Sequence, residues 1–71
     1  MRYCVLDDVH PTWFDNYEDA QGHFYDLINF YDHYGASHLW WHSDKVLVNV
    51  FDDEFFIQIL SEKDYISTTK E

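Results

Sequence analysis

This chain is poor in the residues that punctuate, staple or positively charge a protein. It has one cysteine, one proline, two glycines and four Lys or Arg in 71 residues. A lone Cys4 excludes an internal disulfide, and a reducing, intracellular setting is expected. Two isolated glycines leave no Gly-rich phosphate loop. There is no nucleophile elbow and no Cys–His pairing of catalytic spacing. No apolar run approaches the roughly 20 residues of a membrane span. The opening MRYCVLDDV holds no apolar run of signal-peptide length, so a cytoplasmic protein is expected. The shortage of bases excludes the basic footprint that binds nucleic acid or anionic lipid directly. Repeats and low-complexity segments are also missing.

What is present pulls two ways. Fourteen Asp and Glu give a formal net charge of -10, a level that often marks disorder. Yet 21% of residues are aromatic and 46% hydrophobic, which disordered chains lack. A folded domain with a strongly acidic surface reconciles the two. Its length allows one domain, near the lower limit for folding without staples.

The most regular pattern is KVLVNVFDDEFFIQIL, residues 45–60. Val46, Val48 and Val50 alternate with Leu47, Asn49 and Phe51; Phe55, Ile57 and Ile59 alternate with Phe56, Gln58 and Leu60. Period two predicts two strands. With Asp52-Asp53 as the loop, Val50 faces Phe55, Val48 faces Ile57 and Val46 faces Ile59. A four-residue loop from Phe51 to Glu54 keeps that register. A slip of one residue would bring Gln58 beside Val48, so burial selects against it. Upstream, SHLWWH (37–42) reads as a strand and Ser43-Asp44 as a two-residue turn, pairing Trp41 with Val46 and Leu39 with Val48.

A helix is predicted over residues 16–34. Asp15 or Asn16 caps it, and Glu18 and Asp19 suit its first turn. Tyr17, Ala20, Phe24, Leu27, Ile28, Tyr31 and Tyr34 form one stripe, and Gly35 follows the last of them. Gly22 lies on the polar side and costs about 1 kcal/mol relative to alanine. Tyr3 to Leu6 reads as a strand that pairs with the last strand or sits mid-sheet. Val9 to Phe14, with His10-Pro11, reads as a connection whose Trp13 and Phe14 fold back onto the core. Ser61 to Glu71 reads as a polar tail, giving a domain over 1–66 and frayed residues 67–71. The expected class is α+β: a single small β-α-β-β-β domain with one helix packed on an antiparallel sheet.

His38 and His42 have the spacing of a helical zinc pair. On a strand they stand about 13 Å apart, at about 3.3 Å per residue, so they share no metal. Asp7-Asp8 and Asp52-Asp53 are adjacent carboxylates that point apart and have no evident pocket to tune them. No metal, no cofactor and no enzymatic activity are expected. The outward sheet face carries His38, Trp40, His42, Lys45, Leu47, Asn49, Phe56, Gln58 and Leu60. Trp40, Leu47, Phe56 and Leu60 are apolar where polar residues are the rule. Either the Trp13-Phe14 segment or the tail covers them, or they form an association surface for a homodimer or another partner.

The acids are the other signal. Asp19 and Asp26 lie two turns apart on the polar side of the helix, about 10 Å. Asp52, Asp53 and Glu54 crowd one loop. Duplex DNA presents one charge per about 1.7 Å of axis, so carboxylates held on a rigid domain can fill a DNA-binding groove. The expected partner-binding residues are Asp19, Asp26, Asp52, Asp53, Glu54, Trp40 and Phe56. The expected partner is a basic nucleic-acid-binding protein, with neither nucleic acid nor membrane bound directly. In size and charge the chain is similar to the small acidic proteins with which phages block host nucleic-acid enzymes: anti-restriction proteins, uracil-DNA glycosylase inhibitors and anti-CRISPR proteins. That likeness rests on composition alone and transfers no residue. The alternatives are an acidic adaptor, antitoxin-like or regulatory module working through the aromatic face, and a plainly solvated acidic surface.

Overall fold

The computed structural model describes residues 1–36 and 38–69. In chain order the elements are β1 (Tyr3–Asp7), β2 (His10–Phe14), α1 (Tyr17–His33), β3 (His38–His42), β4 (Lys45–Val50), β5 (Asp53–Ser61) and α2 (Glu62–Thr69). The strands form one sheet in the order β2-β1-β5-β4-β3, antiparallel throughout. The α+β class, with one long helix across an antiparallel sheet, is what the periodicity predicts.

The helix α1 begins where its cap chemistry says. The Asn16 side-chain oxygen accepts a hydrogen bond from the Asp19 backbone N–H at 2.9 Å. It ends at Tyr34, and Gly35 follows at φ 104°, the left-handed conformation that glycine adopts without strain. Ala20, Phe24 and Ile28, spaced by four, are its buried stripe. They pack on Val5, Val46, Val48, Val50, Ile57 and Ile59. Every one of those strand positions belongs to one sheet face, so period two and period 3.6 meet in a single core.

Three points stand against the sequence reading: the first and third depart from it, and the second decides between the two places it left open for the first strand. First, residues 10–14 are an edge strand rather than a connection. Asp7 pairs with His10 and Tyr3 with Phe14. Pro11 cannot donate to a ladder, and an edge tolerates that. This strand sends Phe14 onto the core and sets Trp13 opposite Cys4, on the other face. Second, β1 lies between β2 and β5, pairing with the last strand (Val5↔Ile59).

Third, the stretch read as a polar tail forms α2. The Ser61 hydroxyl accepts from the Asp64 N–H at 3.2 Å, and the Glu62 N–H donates to the Arg2 carbonyl at 2.9 Å. Tyr65 then meets Trp13 edge-to-face at 5.1 Å. The helix runs through Ser67 and Thr68 to Thr69; residues 70–71 of the expected frayed end, and Ser37 of the third strand, lie outside the described residues.

The β3–β4 register is as predicted, Trp41↔Val46 and Leu39↔Val48. The β4–β5 register is moved by two: Val50 faces Asp53, Val48 faces Phe55 and Val46 faces Ile57. The turn is therefore Phe51-Asp52, with both residues left-handed at φ 53° and 69°. A shift of two keeps every side chain on its face, so burial does not distinguish the two registers. A two-residue turn with both φ positive matches the strand twist, at the cost of holding Phe51 in a conformation unusual for a bulky residue. No described helix is long and apolar enough to cross a membrane.

Candidate interaction surfaces

The strand order decides which acids meet. Because β1 lies beside β5, the β1–β2 turn and the β4–β5 turn come to the same end of the sheet. The Asp8 N–H donates to the Phe56 carbonyl at 2.9 Å and ties the two together. Asp7, Asp8, Asp53 and Glu54 then line one shallow depression of about 450 Å³, with His10, Tyr31 and Phe55. Among the described residues no lysine or arginine lines it. The Tyr31 hydroxyl donates to both Asp7 carboxylate oxygens, at 3.1 and 3.3 Å. Burial, and then the charge of Asp7, push the Tyr31 phenol above its ordinary range, so it stays a neutral donor.

A second acidic surface lies on the outward side of α1. Glu18, Asp19 and Asp26 surround Gly22 in a depression of about 440 Å³. A side chain at Gly22 would meet nothing, so packing does not explain the glycine. Asp19 is oriented by the Asn16 amide, 3.1 Å from its carboxylate. On the core side, the Tyr17 hydroxyl donates to Asp44 at 2.7 Å. That hydrogen bond, with burial and the Asp44 charge, pushes the phenol up to about 12.

The opposite sheet face is divided. Its β1 half lies under α2, and there Cys4 is fully buried. Burial pushes the thiol up, outweighing a backbone hydrogen bond at Leu60 that lowers it; this is an inert cysteine. The other half is open. Trp40, Leu47 and Phe56 stand opposite one another across β3, β4 and β5, and with His42 and Lys45 they line a groove of about 360 Å³. Trp40 is 65% exposed and Phe56 42%. The Lys45 ammonium sits 4.1 Å from the Phe56 ring centre, covering one side of it.

The predicted site residues thus fall into separate groups. Asp53 and Glu54 join Asp7 and Asp8, and Asp52 stands at the turn tip next to them. Trp40 and Phe56 share one groove. Asp19 and Asp26 lie across the sheet from that groove, because α1 covers the other face. Among the described residues no three His, Cys, Asp or Glu side chains gather around a common point where a metal would sit.

One group departs from the sequence reading, which set Tyr34 on the core stripe of the helix, whereas Tyr34 lies past the last helical residue and is exposed. Phe51, 75% exposed at the turn tip, lies 6.0 Å from Tyr34, whose ring stacks on Phe30 at 5.5 Å. All three are exposed and adjoin the turn acids. The signal was there: Phe51 is a large apolar residue beside two aspartates in a turn, and Phe30 lies off the buried helical stripe.

No protein-family model matches this chain, and no curated protein or solved structure matches it. Its function has to be read from these surfaces.

Proposed function

We propose that this chain is an inhibitor that occupies the nucleic-acid-binding surface of a basic protein, offering carboxylates in place of phosphates. The observation that carries this reading is the gathering of Asp7, Asp8, Asp53 and Glu54 from two turns far apart in sequence, with no lysine or arginine beside them among the described residues. A net charge of -10 on so small a body speeds encounter with a basic cleft. The acids do not hold the complex alone, because exposed ion pairs contribute little and salt screens them. Aromatic anchors supply much of the affinity. Phe51 stands next to the turn acids; Phe56 lies further along β5 from Asp53 and Glu54, and Trp40 stands across β4 from it on β3. Asp19 and Asp26 serve a cleft that also closes on the α1 side; the molecule is only 19 Å thick between Cα atoms, so one cleft can reach both sides. The reading needs no catalysis and no cofactor. A cytoplasmic location fits the single buried thiol, which needs no oxidising compartment.

A second reading is favoured by the groove of Trp40, Leu47 and Phe56. In it the chain is an adaptor, antitoxin-like or regulatory module whose partner docks on that face, and the acids serve solubility.

Competition separates the two. The immobilised chain captures its target from an extract, and labelled duplex DNA or single-stranded RNA is then offered to the complex. Mutual exclusion is expected, with binding that weakens as salt rises, mainly through a slower on-rate. Changing the exposed Asp8, Asp53 and Glu54 to lysine is expected to abolish capture without unfolding the domain. If nucleic acid and this chain bind the target together with unchanged affinities, mimicry is wrong. If only Trp40→Ala and Phe56→Ala abolish capture, the adaptor reading replaces it.

A further inference from the structure

The two edges of the sheet are built differently. Edge strand β2 has Pro11 near its centre, which has no N–H to offer a neighbour. Edge strand β3 reads His-Leu-Trp-Trp-His, with no proline, no lysine and no acid. Such an edge is a template for another strand unless something blunts it. Among the described residues no strand pairs with its outer side.

Charge narrows what that other strand can be. Between Gly35 and Phe51 the one acid is Asp44, and Tyr17 engages its carboxylate. In a chain of net charge -10 this is the surface on which a second copy meets least repulsion. It is also the surface with least to attract a basic partner. The sequence of β3 then supplies a self-complementary register. His42 and Lys45 close a two-residue turn, so they exchange both hydrogen bonds. Alternation along the ladder turns the backbone N–H and C=O of Leu39 and Trp41 to the open side. Across a two-fold axis at Trp40, Leu39 meets Trp41 of a second copy and Trp41 meets its Leu39, as two hydrogen-bonded pairs. The two Trp40 residues face each other as the close, non-hydrogen-bonded pair. No side chain changes face. Trp41, 48% exposed and resting against Phe24 at 6.3 Å and Tyr25 at 6.0 Å, gains the cover of a second leucine.

We infer that two copies join antiparallel through their β3 edges, centred on Trp40, into one ten-stranded sheet. The row of Phe56, Leu47 and Trp40 then runs unbroken across the two-fold axis, doubling the groove. Closed two-fold dimers satisfy both edges at once and leave Pro11 guarding each end.

The test is sedimentation of the full chain from low to high micromolar concentration, with and without added salt. A monomer–dimer equilibrium is expected. It should strengthen as salt screens the repulsion between copies, whereas capture of a basic partner weakens with salt. Trp40→Lys, at an exposed position, is expected to raise the dissociation constant about tenfold or more while melting as the parent does when dilute. Register is read by cross-linking. Under mild oxidation Trp40→Cys should form a disulfide-linked dimer fast, because only position 40 faces itself within disulfide reach. Leu39→Cys should cross-link far more slowly, and the buried Cys4 not at all. A parent that stays monomeric throughout overturns the inference, as does a dimer unaffected by Trp40→Lys. Equal cross-linking rates at 39 and 40, or association with an added strand of another protein in place of a copy, also overturn it.

Discussion

Phe56 and Ile57 are neighbours on one strand with opposite fates. Ile57 is sealed under α1 with Val46 and Val48, while Phe56 looks into an open groove. The two faces of the sheet differ in the same way. One is covered by a seventeen-residue helix, the other only over its β1 half by a shorter one. Alternation distinguishes two faces but does not say which of them will be covered. Here stability is concentrated on the α1 face, while Trp40 and Phe56 on the opposite face stay exposed.

The sharpest way to break that comparison is Ile57→Ala. It should cost about 2–5 kcal/mol, enough to unfold much of so small a domain. Urea melting near the parent midpoint would show that the α1 face is not the core. Tyr65→Ala removes the edge-to-face contact that holds α2 to Trp13 and should cost about 1 kcal/mol. It should also speed modification of Cys4 by a thiol reagent, because α2 opens more often. An unchanged labelling rate would mean that α2 does not guard that half.

Phe51→Gly should act in the opposite direction. Relief of the left-handed turn is expected to stabilise by about 1 kcal/mol. The same change should weaken capture of a basic target, so raised stability with unaltered binding would remove Phe51 from the interaction surface.

Alkali probes how the α1 face is tied down. The Tyr17 phenol titrates near 12 in the fold against an ordinary value near 10. Between those values the folded chain keeps a proton that the unfolded chain has lost. The contribution of the Tyr17–Asp44 bond is therefore complete below pH 10 and is lost as pH rises toward 12. Tyr31 shifts in the same direction. Stability measured at stepped pH should fall through this window, less steeply for Tyr17→Phe; identical slopes would exclude the hydrogen bond as the cause. The smallest effect belongs to Phe56→Ala, which should change stability by no more than about 0.5 kcal/mol. A loss of 2 kcal/mol or more would make the outer face a second core.

Much of the fold is legible because its periods are clean. The span of α1, the two strand faces and the β3–β4 register follow from spacing and caps. The β4–β5 register does not, since a two-residue shift leaves every face intact. Strand β2 is hidden by Pro11 and by a turn, Asp8-Val9, without glycine. Helix α2 is hidden by its polar sequence, in which Tyr65 and Ile66 are the only large apolar residues. Among the site residues, the prominence of Trp40 and Phe56 can be read from alternation. The meeting of Asp7 and Asp8 with Asp53 and Glu54 cannot, because it depends on β1 lying beside β5, a pairing that no local pattern specifies.

That same pairing sets the order in which the molecule assembles. Tyr3 is matched with Ser61 and Asp7 with Ile57, so a central seam joins the first strand to the last. During synthesis the β1–β2 hairpin and α1 emerge early but have no β5 to close against. Val5 and the buried stripe of α1 must wait, half covered, until β5 has been made. Closure of that long loop should limit the folding rate, ahead of anything local in the helix or hairpins. A nascent chain halted before Ser61 should stay open and vulnerable to protease, and gain protection in one step once the last strand is free.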